Sequence, residues 1–202
     1  MDDIAGCRLI FPSIDELYAF RKKVHAARFN HKLRNEIDKY DYIKQPKGTG
    51  YRGIHDVYEY DVNSEHGKDF KGLYVELQYR TFVQHAWATA VEVIGFITES
   101  QPKFQKGDKR YERLMVLASE ILARTFEQSH SCLYQMADQD VVRDFVSLDA
   151  ELGVLKLLRG LNSADAAVSA KRNVILMFSD NEQLEVKTYR DRKSTRLNSS
   201  HV

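Results

Sequence analysis

Along the first hundred residues apolar positions repeat in two different rhythms, and the switches between them mark the elements. Gly6 to Phe11 is a short apolar run that predicts a buried strand, and Pro12-Ser13 stops it. Ser13 and Glu16 form an S-x-x-E capping signature, after which Leu17, Tyr18, Phe20, Val24 and Ala27 recur at helical spacing, predicting a helix to about Phe29. A polar stretch containing Asp41-Tyr42-Ile43 follows. Lys44 to Tyr51 carries one Pro and two Gly and reads as a loop. Ile54 to Val62 then alternates as a strand, Asn63 to Lys71 turns, and Gly72 to Tyr79 alternates again. In that last run Tyr74, Glu76 and Gln78 share one face and Leu73, Val75 and Leu77 the other. Such a strand predicts one face in the core and one in a polar cleft.

Helical spacing returns at about Phe82 to Ile97. A charged loop, Gln101 to Lys109, leads into a long helix predicted at about Arg110 to Met136. More helix is expected over Asp138 to Ala170, with Leu155, Leu157, Leu158 and Leu161 as core candidates. Val174 to Phe178 and Leu184 to Tyr189, around Ser179-Asp180-Asn181, read as a hairpin. The fold class this predicts is α+β: a mixed β-sheet flanked by helices, with a helical C-terminal extension and a terminal hairpin. Three segments are expected. Residues 1–137 form the main domain, 138–191 an extension, and 192–202 a polar, aperiodic tail that reads as non-native.

Composition narrows the field by exclusion. Hydrophobic residues make up 43% and charged residues 29% of 202, with a net charge of +1, so no global field points to nucleic acid or membrane. Any basic site must be local. Cys7 and Cys132 have no second thiol or histidine at zinc spacing and are expected as buried free thiols. There is no apolar run long enough to cross a membrane and no basic-then-apolar leader, which predicts a cytoplasmic protein.

Three segments place polar groups at the edges of apolar strands: Asp3 to Arg8, Pro46 to His55, and Val75 to Thr81. Two carboxylates, Asp3 and Glu76, come from different strands. Carboxylates converging in this way suit Mg²⁺, a hard cation that takes oxygen ligands and shares them with substrate phosphates. Arg8, Lys47, Arg52 and Arg80 stand nearby as phosphate ligands. Phosphoryl transfer needs such positioning and charge neutralisation more than covalent chemistry. No Walker A motif or GxGxxG fingerprint is present.

Taken together, D-I-A-G-C-R at Asp3 to Arg8, D-Y-I-x-x-P-K-x-x-G-Y-R-x-I-H at Asp41 to His55 and V-E-L-Q-Y-R-T at Val75 to Thr81 resemble the RelA/SpoT synthetase domain in order and spacing, from roughly Asp3 to Gly95. The resemblance implies a nucleotide pyrophosphokinase that moves pyrophosphate from ATP to the 3′-hydroxyl of GDP or GTP, with Mg²⁺ as cofactor. It implies that Asp3 and Glu76 hold the metal and that Glu76 activates the acceptor hydroxyl. It further implies that Tyr51 stacks on the acceptor guanine, that Lys47 and His55 contact its phosphates, and that Arg8, Gln78 and Arg80 lie in the matching strands.

Two departures fall on the acceptor side. Thr49 stands where the family often has Asn, and Tyr40, after Lys39, stands where it usually has a basic residue. The helix beginning Phe82-Val83-Gln84-His85-Ala86-Trp87 looks closest to small or prophage-borne members. Some toxic members modify the 3′ end of tRNA instead, so tRNA is the alternative acceptor, with Lys103, Lys106, Lys109 and Arg110 as a candidate basic cluster. A non-catalytic nucleotide-binding remnant is the third reading. A homo-oligomer, or a regulatory or antitoxin partner, is left open for the C-terminal segment. Almost nothing precedes Asp3, where the family carries its ATP-side basic residues. The expectation is therefore that these residues are a gene fragment, bind ATP poorly and turn over little.

Overall fold

A computed structural model describes residues 5–98 and 108–160. The chain divides into two compact units, Met1–Gly153 and Val154–Val202. Of the second only residues 154–160 are described, and they are helical. The predicted hairpin, Leu161 and the polar tail lie outside the described residues, as do Asp3, Lys103 and Lys106.

The first unit is built on a four-stranded mixed sheet in the order β1-β4-β3-β2. Its strands are β1 (Ala5–Phe11), β2 (Lys32–Leu33), β3 (Ile54–Glu59) and β4 (Tyr74–Thr81). The β1–β4 pair is parallel, and the other two pairs are antiparallel. Helix α1 (Ile14–Ala26) follows β1, and α2 (Phe82–Ile97) leaves β4 without a loop. Two further helices, α3 (Lys109–Glu127) and α4 (Asp138–Leu152), complete the unit.

Period-two alternation sorts the sheet into two faces. On one, Leu17 of α1 joins Ile43, Ile54 and Tyr79 in a core ringed by Leu9, Phe11, Ile14, Tyr18 and Leu77. Each such large apolar side chain contributes roughly 1.5–3 kcal/mol on burial. The same face carries a buried ionic network that the sequence pattern did not announce. Arg21 donates to both oxygens of Asp56, at 2.9 and 2.7 Å, and to Asp38 at 2.6 Å. His25 meets Asp56 at 2.8 Å. Asp41, read as part of a polar stretch, is buried: it accepts from the Tyr18 hydroxyl and from the backbone N–H groups of Ile43 and Lys44. Buried charges survive here because each finds a full set of partners.

Helix ends follow local rules. The Ser13 oxygen caps α1 by accepting from the Glu16 N–H at 3.2 Å. A complete capping box starts α2: the Thr81 oxygen accepts from the Gln84 N–H, and the Gln84 side chain accepts from the Thr81 N–H. The predicted helix over 110–136 is shorter. It stops at Glu127, where Gln128 turns left-handed with φ 47°. The chain then folds back over Glu120, a fully buried carboxylate. That carboxylate accepts from the backbone N–H groups of Ser131 and Leu133 and from Arg124. Burial acts to raise its pKa, but Arg124 and the Leu133 N–H outweigh it and hold the group below the usual range.

Other expectations also shift. The helix expected to reach Phe29 ends at Ala26 because Ala27 is already extended. Helix α4 belongs to the first unit, which runs to Gly153 rather than stopping near 137. Leu155 and Leu157, expected in a core, are each 36% exposed. Cys7 is exposed and Cys132 half-buried, so neither is the buried thiol expected; both are free. Among the described residues no helix is long and apolar enough to cross a membrane.

Candidate functional site

The opposite face of the sheet is polar, and strand register decides who meets whom on it. Gln78 of β4 sits between Arg8 of β1 and His55 of β3, all three in one row across the sheet. Glu76 lies in the next row, opposite Gly6 and Val57. Gly6 leaves the neighbouring strand without a side chain there, so the carboxylate has room.

A continuous run of hydrogen bonds links these groups. Glu76 Oε1 meets His55 Nδ1 at 2.5 Å, and Glu76 Oε2 accepts from Gln78 Nε2 at 2.5 Å. The Gln78 carbonyl in turn accepts from Arg8 Nε at 3.1 Å. On the other side, His55 Nε2 meets the Tyr51 hydroxyl at 2.5 Å, and Arg80 Nη2 donates to that hydroxyl at 3.1 Å. The direction of donation follows from chemistry. An ionised carboxylate only accepts, so His55 carries its proton on Nδ1 toward Glu76. Its Nε2 then accepts from Tyr51, whose oxygen accepts from Arg80. Every donor in the row therefore points toward Glu76.

Electrostatics agree with the geometry. The His55 hydrogen bond, against opposing desolvation and helped by Gln78, holds the Glu76 carboxyl down to about 2. Glu76 is thus ionised across the physiological range. By itself it is a weak base, but it is a strong acceptor for a hydroxyl and a hard-oxygen ligand. Burial pushes the Tyr51 phenol up.

Arg8, Tyr51, His55, Gln78 and Arg80 of this run line the floor of a cleft of about 270 Å³, and Glu76 is hydrogen-bonded to two of them, His55 and Gln78. Lys47, Thr49 and Tyr51 reach it from the loop before β3. Trp87, Ala88 and Val91 of α2 and Met115 of α3 make an apolar wall opposite, with Glu92 and Glu112 on the same two helices. Tyr51 is not a bare shelf. His55 and Tyr42 meet its ring edge-on, at 5.6 and 5.7 Å between centroids. The Lys47 ammonium lies 5.4 Å and the Arg80 guanidinium carbon 5.2 Å from the ring centroid.

Of the residues singled out from sequence, the structure brings Arg8, Lys47, Tyr51, His55, Glu76, Gln78 and Arg80 together. It takes Arg52 away. Arg52 is only 3% exposed, its guanidinium is paired with Glu127, and it donates to the Ser129 hydroxyl at 3.1 Å. It is a tie between the loop and α3, not a phosphate ligand. Parity carried the signal: Tyr51 and His55 are odd-numbered with the cleft-facing positions of β3, and Arg52 is not. Of the proposed basic cluster, Lys103 and Lys106 are outside the described residues, and Arg110 is bound to Asp108 at 2.6 Å and near Glu151.

The α3 contributions were missed altogether. Ser119 Oγ donates to the Gly50 carbonyl at 2.6 Å, and Glu127 also holds the side chains of Thr81 and Gln84. Gly50, at φ +84°, is pressed against α2 and α3: a Cβ there would stand 3.0 Å from Ser119 Cβ and 3.2 Å from Trp87.

As to metal, Glu76 supplies one oxygen donor with lone pairs to spare. Among the described residues no group of three or more His, Cys, Asp or Glu is placed to hold an ion.

Residues 1–94 match the family described as the region found in RelA / SpoT proteins. The matched stretch is a little under half of the chain. It carries β1 through most of α2 and all of the hydrogen-bonded row. GTP pyrophosphokinase YjbM of Bacillus subtilis (strain 168) is 34% identical over 89 residues, which is 44% of this chain and 39% of that protein. The chain therefore spans about two fifths of the curated relative's length. The fold is similar to that of the small alarmone synthetase 1 of Bacillus subtilis bound to its product pppGpp. The TM-score there is 0.51, with 27% identity over 63% of this chain and 60% of that one. It is similar too to small alarmone synthetase 2 of the same organism, with TM-score 0.52 and 25% identity over 63% of this chain and 64% of that one. The matched stretch ends before α3, so Ser119 and Glu127 hold the loop before β3 from outside it.

Proposed function

We propose that the cleft is the acceptor site of a pyrophosphokinase that transfers pyrophosphate from ATP to the 3′-hydroxyl of GDP or GTP. The observation that carries this reading is the convergence of hydrogen-bond donors from three adjacent strands and the Tyr51 loop on one ionised carboxylate, Glu76. In the transfer the 3′-oxygen bonds to the β-phosphorus of ATP, the bond from that phosphorus to the oxygen bridging it to the α-phosphorus breaks, and AMP leaves. The acceptor hydroxyl must lose a proton. Glu76 accepts a hydrogen bond from it, orients its lone pair and takes the proton as the oxygen–phosphorus bond forms.

Arg8, Arg80 and Lys47 supply the charge that phosphates need. A purine stacking on Tyr51 displaces the Lys47 ammonium or the Arg80 guanidinium from over the ring, and the displaced cation goes to a phosphate. Base–aromatic stacking of this kind is worth about 1–3 kcal/mol. Glu76, together with Asp3 beyond the described residues, would hold Mg²⁺. When bound, that ion neutralises charge on the transferring pyrophosphoryl group.

The test is acceptor binding, which does not depend on the donor half of the site. The chain has one tryptophan, Trp87, and it lines the cleft. Its fluorescence should report saturable binding of GDP or GTP, weakened at least about tenfold in both Y51A and H55A. No saturable binding up to millimolar nucleotide, or wild-type binding in both variants, rejects the proposal. In a transfer assay with labelled ATP, label reaching tRNA alone would move the acceptor assignment to tRNA.

A further inference from the structure

Most polar groups on the floor of the cleft are hydrogen-bonded to one another, whereas a carboxylate on the facing wall is not. Glu112, on the first turn of α3, is half-buried and lines the cleft beside Met115. Among the described residues it makes no hydrogen bond and no ion pair. A carboxylate in a cleft with no protein donor has lone pairs to offer the N–H groups of a ligand. The same wall is otherwise apolar at Trp87, Ala88 and Val91, which suits the flat body of a base, and the Trp87 ring lies 6.5 Å from that of Tyr51. Cations line the floor, where they draw the phosphates, so the base is the part of the ligand left for the wall.

We infer that Glu112 is a specificity-determining residue that reads the Watson–Crick edge of the acceptor base and selects guanine. Guanine presents two adjacent donors, N1–H and the N2 amino group, whose spacing matches the two oxygens of a carboxylate. Adenine presents an acceptor at N1 and no amino group at C2, so it sets a lone pair against the carboxylate. A site built to receive donors rejects an analogue that lacks them more strongly than an apolar pocket rejects a change of size. The inference rests on the acceptor-site reading above and deepens it. It also bears on the choice between acceptors, because a carboxylate so placed disfavours the adenosine that ends every tRNA. Glu112 lies beyond residues 1–94, in a part of the chain that the RelA/SpoT match does not reach.

The experiment compares GDP, IDP and ADP binding to wild type, E112Q and E112A, followed by Trp87 fluorescence. IDP lacks only the N2 amino group. Wild type should prefer GDP over IDP by roughly tenfold and over ADP by more. In E112Q and E112A the GDP-to-IDP ratio should collapse toward one, because GDP loses two donor contacts and IDP only the one from N1–H. Thermal unfolding of each variant checks that the fold is kept, and the two variants guard against one of them failing to fold. An unchanged GDP-to-IDP ratio in a folded variant overturns the role of Glu112 while leaving the acceptor site standing. Absence of guanine nucleotide binding in the wild type overturns both.

Discussion

Removing Glu127 should unfasten the loop before β3 from the helix that holds it. Glu127 ends α3 and is 4% exposed; Arg52, its ion partner, is 3% exposed. Its other oxygen takes the Thr81 hydroxyl and the Gln84 amide, the two side chains that make the capping box of α2. Glu127→Ala leaves the Arg52 guanidinium buried with its hydrogen bond to Ser129, and breaking a buried pair from one side costs about 3–5 kcal/mol. Two lost acceptor contacts to Thr81 and Gln84 add about 1 kcal/mol each at most. The expected total is therefore about 3–7 kcal/mol, a large part of the stability of a domain this size.

Removing both partners should cost less than the sum of the single changes, because neither charge is then stranded. A coupling of about 2 kcal/mol or more is expected for the Arg52→Ala/Glu127→Ala pair. Urea unfolding followed by Trp87 fluorescence measures all three variants. A cost below about 1 kcal/mol for Glu127→Ala, or additive behaviour in the double variant, would refute the account of Arg52 as a buried tie.

Two further outcomes follow from the site. Glu76 has a folded-state pKa of about 2, below the ordinary carboxylate value of 4.5, so its contribution to stability is complete above about pH 4.5 and is lost as pH falls toward 2. The stabilities of wild type and Glu76→Gln from urea unfolding should differ most near pH 6, by no more than about 3 kcal/mol, and converge as pH falls from 4.5 toward 2; a gap that widens on acidification contradicts the assignment. Gly50→Ala should lose about 2–4 kcal/mol, since it forces a side chain into a left-handed conformation and against Ser119 and Trp87; a change within 0.5 kcal/mol in urea unfolding would show that the loop does not sit where it is described.

How residues 5–98 fold could largely be read from the chain itself. Period-two alternation is a local property of an extended backbone, so it placed Glu76 and Gln78 on one side of β4 and Val75 and Leu77 on the other without reference to any partner. The spacing of the three motif blocks named the strands that β1 and β3 became. The same logic, carried back from His55 to Tyr51, would have separated Arg52 from Tyr51. Only the folded chain decided the fate of the charges. Arg21, Asp41 and Asp56 look like surface residues in sequence, and Arg52 looks like a phosphate ligand. Whether a charge ends in water, in a cleft or against a buried partner depends on which distant segment packs beside it. Segments far apart along the chain carry no local imprint of that choice. For the same reason α3, which anchors the loop before β3 through Ser119 and Glu127 and presents Glu112 to the cleft, was legible as a helix but not as part of the site.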